Sequence, residues 1–230
     1  MEVIANGNTA EIYEYGNQRI CKLFYNGYPQ QYVDHEFNNA KEIWSLGIKS
    51  PEPHEIVSIN GRPGIIYDKI IGEELSDKIR NSDQETWLNR FVKFQKDLFG
   101  FHDDNLMDYK DFLKLFASGA EELLLKIDGL DNGNSVIHGD FHPSNLMVDR
   151  TGTLILIDMM NVCKGSSAYD VARTYFLLRK DKDLQKKYLE KSGYKMAEIK
   201  SYLEVILLVR EKELEAGNQR YTTRQGDDLE

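Results

Sequence analysis

Apolar positions recur along the chain in two periods, and the changes of period mark out its elements. Near the amino end the pattern is strand-like. Val3–Ala5, Glu11–Tyr15 and Arg19–Phe24 are short runs separated by the small-residue turn 6–10 and by Gly16-Asn17. Gln30–Leu46 changes to a helical period, with Val33, Phe37, Ala40, Ile43 and Trp44 on one stripe. A proline-bounded loop at Ser50–Pro53 returns the chain to strands at Glu55–Ile59 and Gly64–Tyr67, joined through Asn60-Gly61. Beyond Gly72 the helical period dominates, over Glu73–Arg80, Gln84–Phe101, Tyr109–Ile127, Ala168–Arg179, Leu184–Ser192 and Ala197–Ala216. Trp87, Phe91, Phe94 and Leu98 recur at core spacing, and Leu123-Leu124-Leu125 reads as core too. One stretch interrupts the helices. Val136-Ile137 leads into a turn-prone segment, and Leu146–Val148, the turn Asp149–Gly152 and Leu154–Ile157 read as a hairpin. The pattern predicts an α+β chain: a small antiparallel β part with one helix, then a larger, mainly helical part.

Composition narrows the function classes. At 230 residues the chain can bury the core of one large domain or of two lobes. With 41% hydrophobic and 29% charged residues it has the make-up of a soluble globular protein. Its strongest apolar run, Val205–Val209, is far too short to span a bilayer, so no membrane role is expected. A formal net charge of −9 argues against a nucleic-acid partner and is compatible with a cationic substrate. Cys21 and Cys163 offer no disulfide framework and fit a reducing, cytoplasmic setting, with Cys21 read as packing within a strand. His102 with Asp103 and Asp104 follows the helix end at Gly100 and reads as a polar loop. His35 and His54 have no companions in the sequence.

The chemistry concentrates in Val136–Asp158, VIHGDFHPSNLMVDRTGTLILID. The hairpin would set Asn145, at the start of one strand, beside Asp158, at the end of the other. Two hard oxygen ligands would then face a common point, which suits Mg²⁺ shared with substrate phosphates. Asp140, on the loop before, could reach a hydroxyl above that point and accept its proton. A His-Gly-Asp turn alone would be ordinary; its conjunction with Asn145 and Asp158 carries the signal.

His138-Gly139-Asp140, Asn145 and the later Ile157-Asp158 resemble the aminoglycoside phosphotransferase family, the small-molecule branch of the protein-kinase-like fold. Protein kinases have Arg where this chain has Gly139, and Phe-Gly where it has Met159-Met160; both departures favour the small-molecule branch. The resemblance spans about Val3–Arg179. It implies an N-terminal nucleotide-binding lobe at residues 1–68, a hinge at 69–72 and a C-terminal helical lobe at 73–230 that holds the catalytic loop and substrate site.

The resemblance also implies roles. Lys22, which alone reads as an edge-strand lysine, would neutralise the phosphates of ATP (or GTP), with Glu36 as its helix partner and Glu42 the competitor. Thr9, in a turn whose single glycine is Gly7, would add a hydroxyl to a phosphate loop. Tyr67 would back the adenine pocket, the Asp68 carbonyl and Ile70 amide would hydrogen-bond adenine, and Met147 and Ile157 would form its floor. His138 would brace the catalytic loop, His142 would lie near substrate or phosphate, and Asp170 would hold the loop backbone. The implied reaction moves the γ-phosphate to a hydroxyl of a small molecule, with aminoglycosides, amino sugars and amino alcohols among the acceptors of such families. Two rivals stand beside it. A small protein-serine kinase is disfavoured by the missing Asp-Phe-Gly, whereas the glycine-poor loop leaves open a nucleotide-binding regulatory module without turnover.

Overall fold

A computed structural model describes residues 3–226, with side chains described as far as residue 212. Strands β1 (Val3–Asn6), β2 (Ala10–Glu14), β3 (Arg19–Phe24), β4 (Pro53–Ile59) and β5 (Arg62–Asp68) form one antiparallel sheet in the order β1-β2-β3-β5-β4. Helix α1 (Gln30–Ser45) lies in sequence between β3 and β4. Successive residues of a strand face opposite sides, and β3 uses both. Cys21 and Leu23 pack with Ile66 in a small cluster on one face, whereas Phe24 joins Ile65 and the α1 residues Val33, Ala40 and Ile43 in the main core. Lys22 therefore shares the inner face with Phe24. Cys21 is fully buried, as a packing residue should be, and burial pushes its thiol up to about 11.

The second part opens with β6 (Gly72–Glu74) and α2 (Leu75–Asn81), followed by α3 (Gln84–Leu98), α4 (Tyr109–Lys114) and α5 (Glu121–Asp128). Next come β7 (Ser135–Ile137), β8 (Leu146–Asp149), β9 (Leu154–Leu156) and β10 (Cys163–Gly165), then α6 (Ser167–Leu177), α7 (Lys182–Ser192) and α8 (Met196–Gly226). Strands β6, β8 and β9 form one small sheet, and β7 and β10 another. None of the described helices is long and apolar enough to cross a membrane.

Several expectations are corrected. Glu73 and Glu74 begin no helix; they pair with β8, and Gly72 lets the strands approach, since a Cβ there would lie 2.1 Å from the Val148 carbonyl oxygen. Tyr109–Ile127 is two helices: α4 ends at Lys114, and Gly119, with φ 73°, turns the chain before α5 starts at Glu121. Trp44 is 47% exposed and Leu125 is 73% exposed, so neither is core; only Leu123 of the leucine triplet is fully buried. Strand β10 has no counterpart in the sequence pattern, since three residues are too few to show a period.

Candidate active site

The loop after β7 carries Asp140, and buried polar groups fix it from three sides. Gly139 has φ 73°, and a Cβ there would lie 2.4 Å from the Asn161 carbonyl oxygen, so the position requires glycine. The Gly139 N–H donates to Asp170 Oδ1 at 2.7 Å. Gln95 Nε2 donates to Asp170 Oδ2 at 2.9 Å and to Thr174 Oγ1 at 3.0 Å, while the Tyr188 hydroxyl donates to Gln95 Oε1 at 2.6 Å. Thr174 Oγ1 in turn donates to the Phe141 carbonyl at 2.8 Å. Burial raises the Asp170 pKa, against the lowering effect of its Gln95 and Gly139 donors.

His138 completes the brace. Its Nε2–H donates to the Ile157 carbonyl at 3.1 Å, and its Nδ1 accepts from the Asp140 N–H at 3.3 Å. This links the Asp140 loop to the strand end that presents Asp158.

Asp140 itself meets two cationic or potentially cationic groups. Arg173 Nη2 lies 3.2 Å from Oδ1, and His142 Nε2 lies 3.6 Å from Oδ2. Burial would raise the Asp140 pKa, but His142 and Arg173 outweigh it and hold the carboxyl at about 2. A carboxylate so acidic is a weak base. It can orient a hydroxyl throughout and take its proton late, as the oxygen becomes bonded elsewhere. Asn145 Nδ2 donates to the Asp140 carbonyl at 2.9 Å, which leaves the Asn145 amide oxygen available as a ligand.

A second group of residues joins the two parts of the molecule. Lys22 Nζ contacts Glu36 Oε1 at 2.6 Å and Asp158 Oδ1 at 2.8 Å. Glu36 is 1% exposed and Asp158 45%, so Lys22 spans from a buried carboxylate to one open to solvent. Burial alone would lower the Lys22 pKa; Glu36 and Asp158 outweigh it and raise it, so the ammonium stays charged. Burial raises the Glu36 pKa, opposed by Lys22. Glu36 Oε1 also accepts from the Tyr67 hydroxyl at 3.4 Å, and Glu36 Oε2 has no hydrogen-bond partner. Glu42, the other candidate for Lys22, instead accepts from Asn105. Asp158 has left-handed backbone, φ 63° and ψ 77°, unusual outside glycine.

The remaining expected residues are placed as follows. Register places Ile155 opposite Met147, and the Ile157 N–H donates to the Asn145 carbonyl at 3.0 Å, which sets Asp158 beside Asn145. Met147, Ile155 and Ile157 share a half-buried face of the β8–β9 hairpin, opposite fully buried Leu146, Val148, Leu154 and Leu156. The Ile70 amide donates to no backbone carbonyl among the described residues. A cleft of about 350 Å³ runs between Asp68–Ile70 and the β8–β9 turn, with Ile155 beneath, but Tyr67, Met147 and Ile157 do not line it. The Asp68 side chain turns to His54, 2.7 Å away, so His54 does have a companion. Thr9 is exposed, and its carbonyl accepts from the Tyr25 N–H.

Sequence reasoning passed over three residues. Arg173 lies three positions after Asp170 and so shares its helix face. Asn39, three positions after Glu36, donates to the Met159 and Val162 carbonyls at 2.9 and 3.0 Å, tying α1 to the segment after Asp158. Gln95 is a polar residue within the buried stripe Leu88, Phe91, Val92 and Leu98, and that mismatch is a readable signal.

Residues 111–202 match the model of a family described as "Phosphotransferase enzyme family". Three solved structures share the architecture. Aminoglycoside-3'-phosphotransferase of type VIII aligns over 89% of this chain and 90% of its own, at 16% identity and a TM-score of 0.65. A thermostable mutant of aminoglycoside phosphotransferase APH(4)-Ia, in ternary complex with AMP-PNP and hygromycin B, aligns over 98% and 90%, at 14% identity and a TM-score of 0.67. The choline kinase LicA from Streptococcus pneumoniae aligns over 94% and 87%, at 15% identity and a TM-score of 0.61. The fold is that of the protein-kinase-like small-molecule kinases. The resemblance to aminoglycoside phosphotransferases read from the HGD…N…D residues thus holds in both sequence profile and fold. No curated protein sequence matches the chain significantly. The family match covers less than half of the chain; the kinase-like fold agrees with it, and at these identities establishes the architecture alone.

Proposed function

We propose that the protein transfers the γ-phosphate of ATP (or GTP) to a hydroxyl of a small molecule. The observation that carries this reading is the contact of Lys22 with both Glu36 and Asp158, next to a rigidly held Asp140. Lys22, positioned by Glu36, binds the phosphates; Asp140 orients the acceptor hydroxyl and takes its proton. Thr9 contributes a hydroxyl to the phosphate loop. Tyr67, Met147 and Ile157 form the adenine pocket, with the Asp68 carbonyl and the Ile70 amide as its main-chain partners.

Asn145 and Asp158 are the residues that would hold Mg²⁺. The amide oxygen of Asn145 and the solvent-open carboxylate of Asp158 are hard donors of the kind that ion takes. When bound, Mg²⁺ supplies neutralisation of phosphate charge. In this reading residues 1–68 are the nucleotide lobe, 69–72 the hinge and 73–230 the lobe that receives the acceptor. The two buried thiols suit a reducing cytosol. The resemblance points to an aminoglycoside, amino sugar or amino alcohol as acceptor.

A thermal-shift titration with Mg²⁺ and ATP, then GTP, on wild type and Asp158→Ala tests the proposal. A ligand that binds only the folded state raises the melting temperature as its concentration passes Kd. A Mg²⁺-dependent rise lost in the variant is the expected result. No rise with either nucleotide would overturn the nucleotide assignment, and a rise without turnover on any alcohol would favour a regulatory module.

A further inference from the structure

Asp158 is held from both sides by groups on other elements. The peptide before it is fixed by His138, whose Nε2–H donates to the Ile157 carbonyl at 3.1 Å, and by the Ile157 N–H, which donates to the Asn145 carbonyl at 3.0 Å. The turn after it, Met159–Asn161, is fixed from the first part of the chain. Asn39 Nδ2 donates to the Met159 carbonyl at 2.9 Å and to the Val162 carbonyl at 3.0 Å, partners 120 and 123 residues away. Both carbonyls are acceptors, so the amide must turn its N–H bonds toward them. His35, one helical turn earlier on α1, stands 3.2 Å from the same nitrogen.

Asn39 is 4% exposed, so it can meet no ligand from solvent; what it can do is fix the backbone that it binds. That backbone needs fixing. Asp158 has the left-handed conformation, φ 63° and ψ 77°, which costs a residue other than glycine free energy and persists only where its surroundings over-determine it. Met159 is buried beside it, whereas the Asp158 carboxylate is open to solvent. A buried turn thus aims an open carboxylate.

Two links run from α1 to Asp158. One passes from Glu36 through Lys22 to the carboxylate, and the other runs from Asn39, three positions after Glu36 and so on the same helix face, to the backbone. In the proposed reaction Lys22 has phosphate as its ligand and Asp158 has Mg²⁺, so their ion pair is not the link that persists once nucleotide is bound. The Asn39 link uses no group that a ligand would claim. From this arrangement we infer that Asn39 is a positioning residue for Mg²⁺, which keeps the Asp158 carboxylate and the Asn145 amide oxygen facing one point while Lys22 serves the phosphates. The inference rests on the phosphotransferase reading above and adds to it a residue that touches neither substrate nor ion.

The test uses the full chain and reads the thermal shift that ATP or GTP produces, first without Mg²⁺ and then across a Mg²⁺ titration, so no acceptor is needed. Wild type is compared with Asn39→Leu, which keeps the volume and loses both donors, and with Asn39→Ser, which is too short to reach the carbonyls. Melting without ligand reports whether each variant folds. In a folded variant the half-maximal shift is expected to need about tenfold more Mg²⁺ or beyond, while the shift with nucleotide alone is retained. Unchanged Mg²⁺ dependence would overturn the inference. So would an equal loss with and without Mg²⁺, which is what mere structural support of α1 would give, or a failure of both variants to fold. In these cases a nucleotide shift in wild type leaves the phosphotransferase reading standing. No wild-type shift with either nucleotide would overturn that reading, and the inference with it.

Discussion

The loop that carries Asp140 and the loop that carries Thr9 would serve one substrate complex, yet the structure holds them in opposite ways. The first rests on Asp170, Thr174, Gln95 and His138, each 1% exposed or less, and each spending its hydrogen bonds on that loop or on the residues that support it. The second is closed by its own backbone, Gly7 N–H to the Ala10 carbonyl at 2.8 Å, and by exposed Tyr25, whose N–H and hydroxyl donate to the Thr9 and Gly7 carbonyls, beside a strand exposed along its whole length. Positional accuracy is needed where a reacting oxygen must be aimed, because small misplacements there cost large factors in rate. A loop that covers phosphates binds through several exchangeable donors and can adjust to its ligand.

That contrast can be broken at its strong end first. Replacing Asp140 by Asn is expected to lower acceptor-dependent turnover about 10²–10⁴-fold, with nucleotide binding retained. Steady-state kinetics decide it, and unchanged turnover would remove Asp140 from the mechanism. Its carboxyl is held at about 2, so its ionised form should dominate across the ordinary carboxylate range and add no acid limb there to kcat/KM. The sign for stability follows. A lowered folded-state pKa contributes stability above the unfolded carboxylate pKa, and that contribution is lost as pH falls toward about 2.

Asp170→Ala comes next. It leaves the Gly139 N–H and one Gln95 donor without their buried acceptor, at a cost of about 2–4 kcal/mol in urea unfolding. A loss below about 0.5 kcal/mol would mean that the catalytic loop is held by something else. Gly139→Ala should cost about 1–3 kcal/mol, because the new Cβ meets the Asn161 carbonyl and the backbone stays left-handed. A neutral Gly139→Ala would show that the loop relaxes freely, and the rigid half of the comparison would fail. Thr9→Ala is expected to change stability by no more than about 0.5 kcal/mol and to weaken nucleotide binding only slightly. A large loss in calorimetric affinity would move the phosphate loop to the rigid side.

Much of this was legible from spacing. By spacing alone Lys22 reads as an edge-strand lysine; its pairing with Glu36, beside the α1 apolar stripe, was legible only through the family resemblance, because strand and helix periods fix which way a side chain faces and not what it meets. The His138–Asp158 stretch specified its own hairpin through turn residues and short apolar runs. Less was legible where the signal is brief or tertiary. The strands β6 and β10 are each too short to show a period, and the break between α4 and α5 came from a turn at left-handed Gly119 inside an unbroken apolar pattern. Leu125 matches its neighbour Leu123 in composition and differs only in where α5 turns it.

By itself the sequence determined what local bonding can determine: the hairpin that sets Asn145 beside Asp158, and the helical spacing of Asp170 and Arg173. The tertiary structure alone decided the long-range meetings. Lys22 reaches Asp158 across 136 residues of chain, and Asn39 of α1 reaches the Met159 and Val162 carbonyls. Periodicity says which side of an element faces inward. Which distant element it meets there is set by the packing of the whole core.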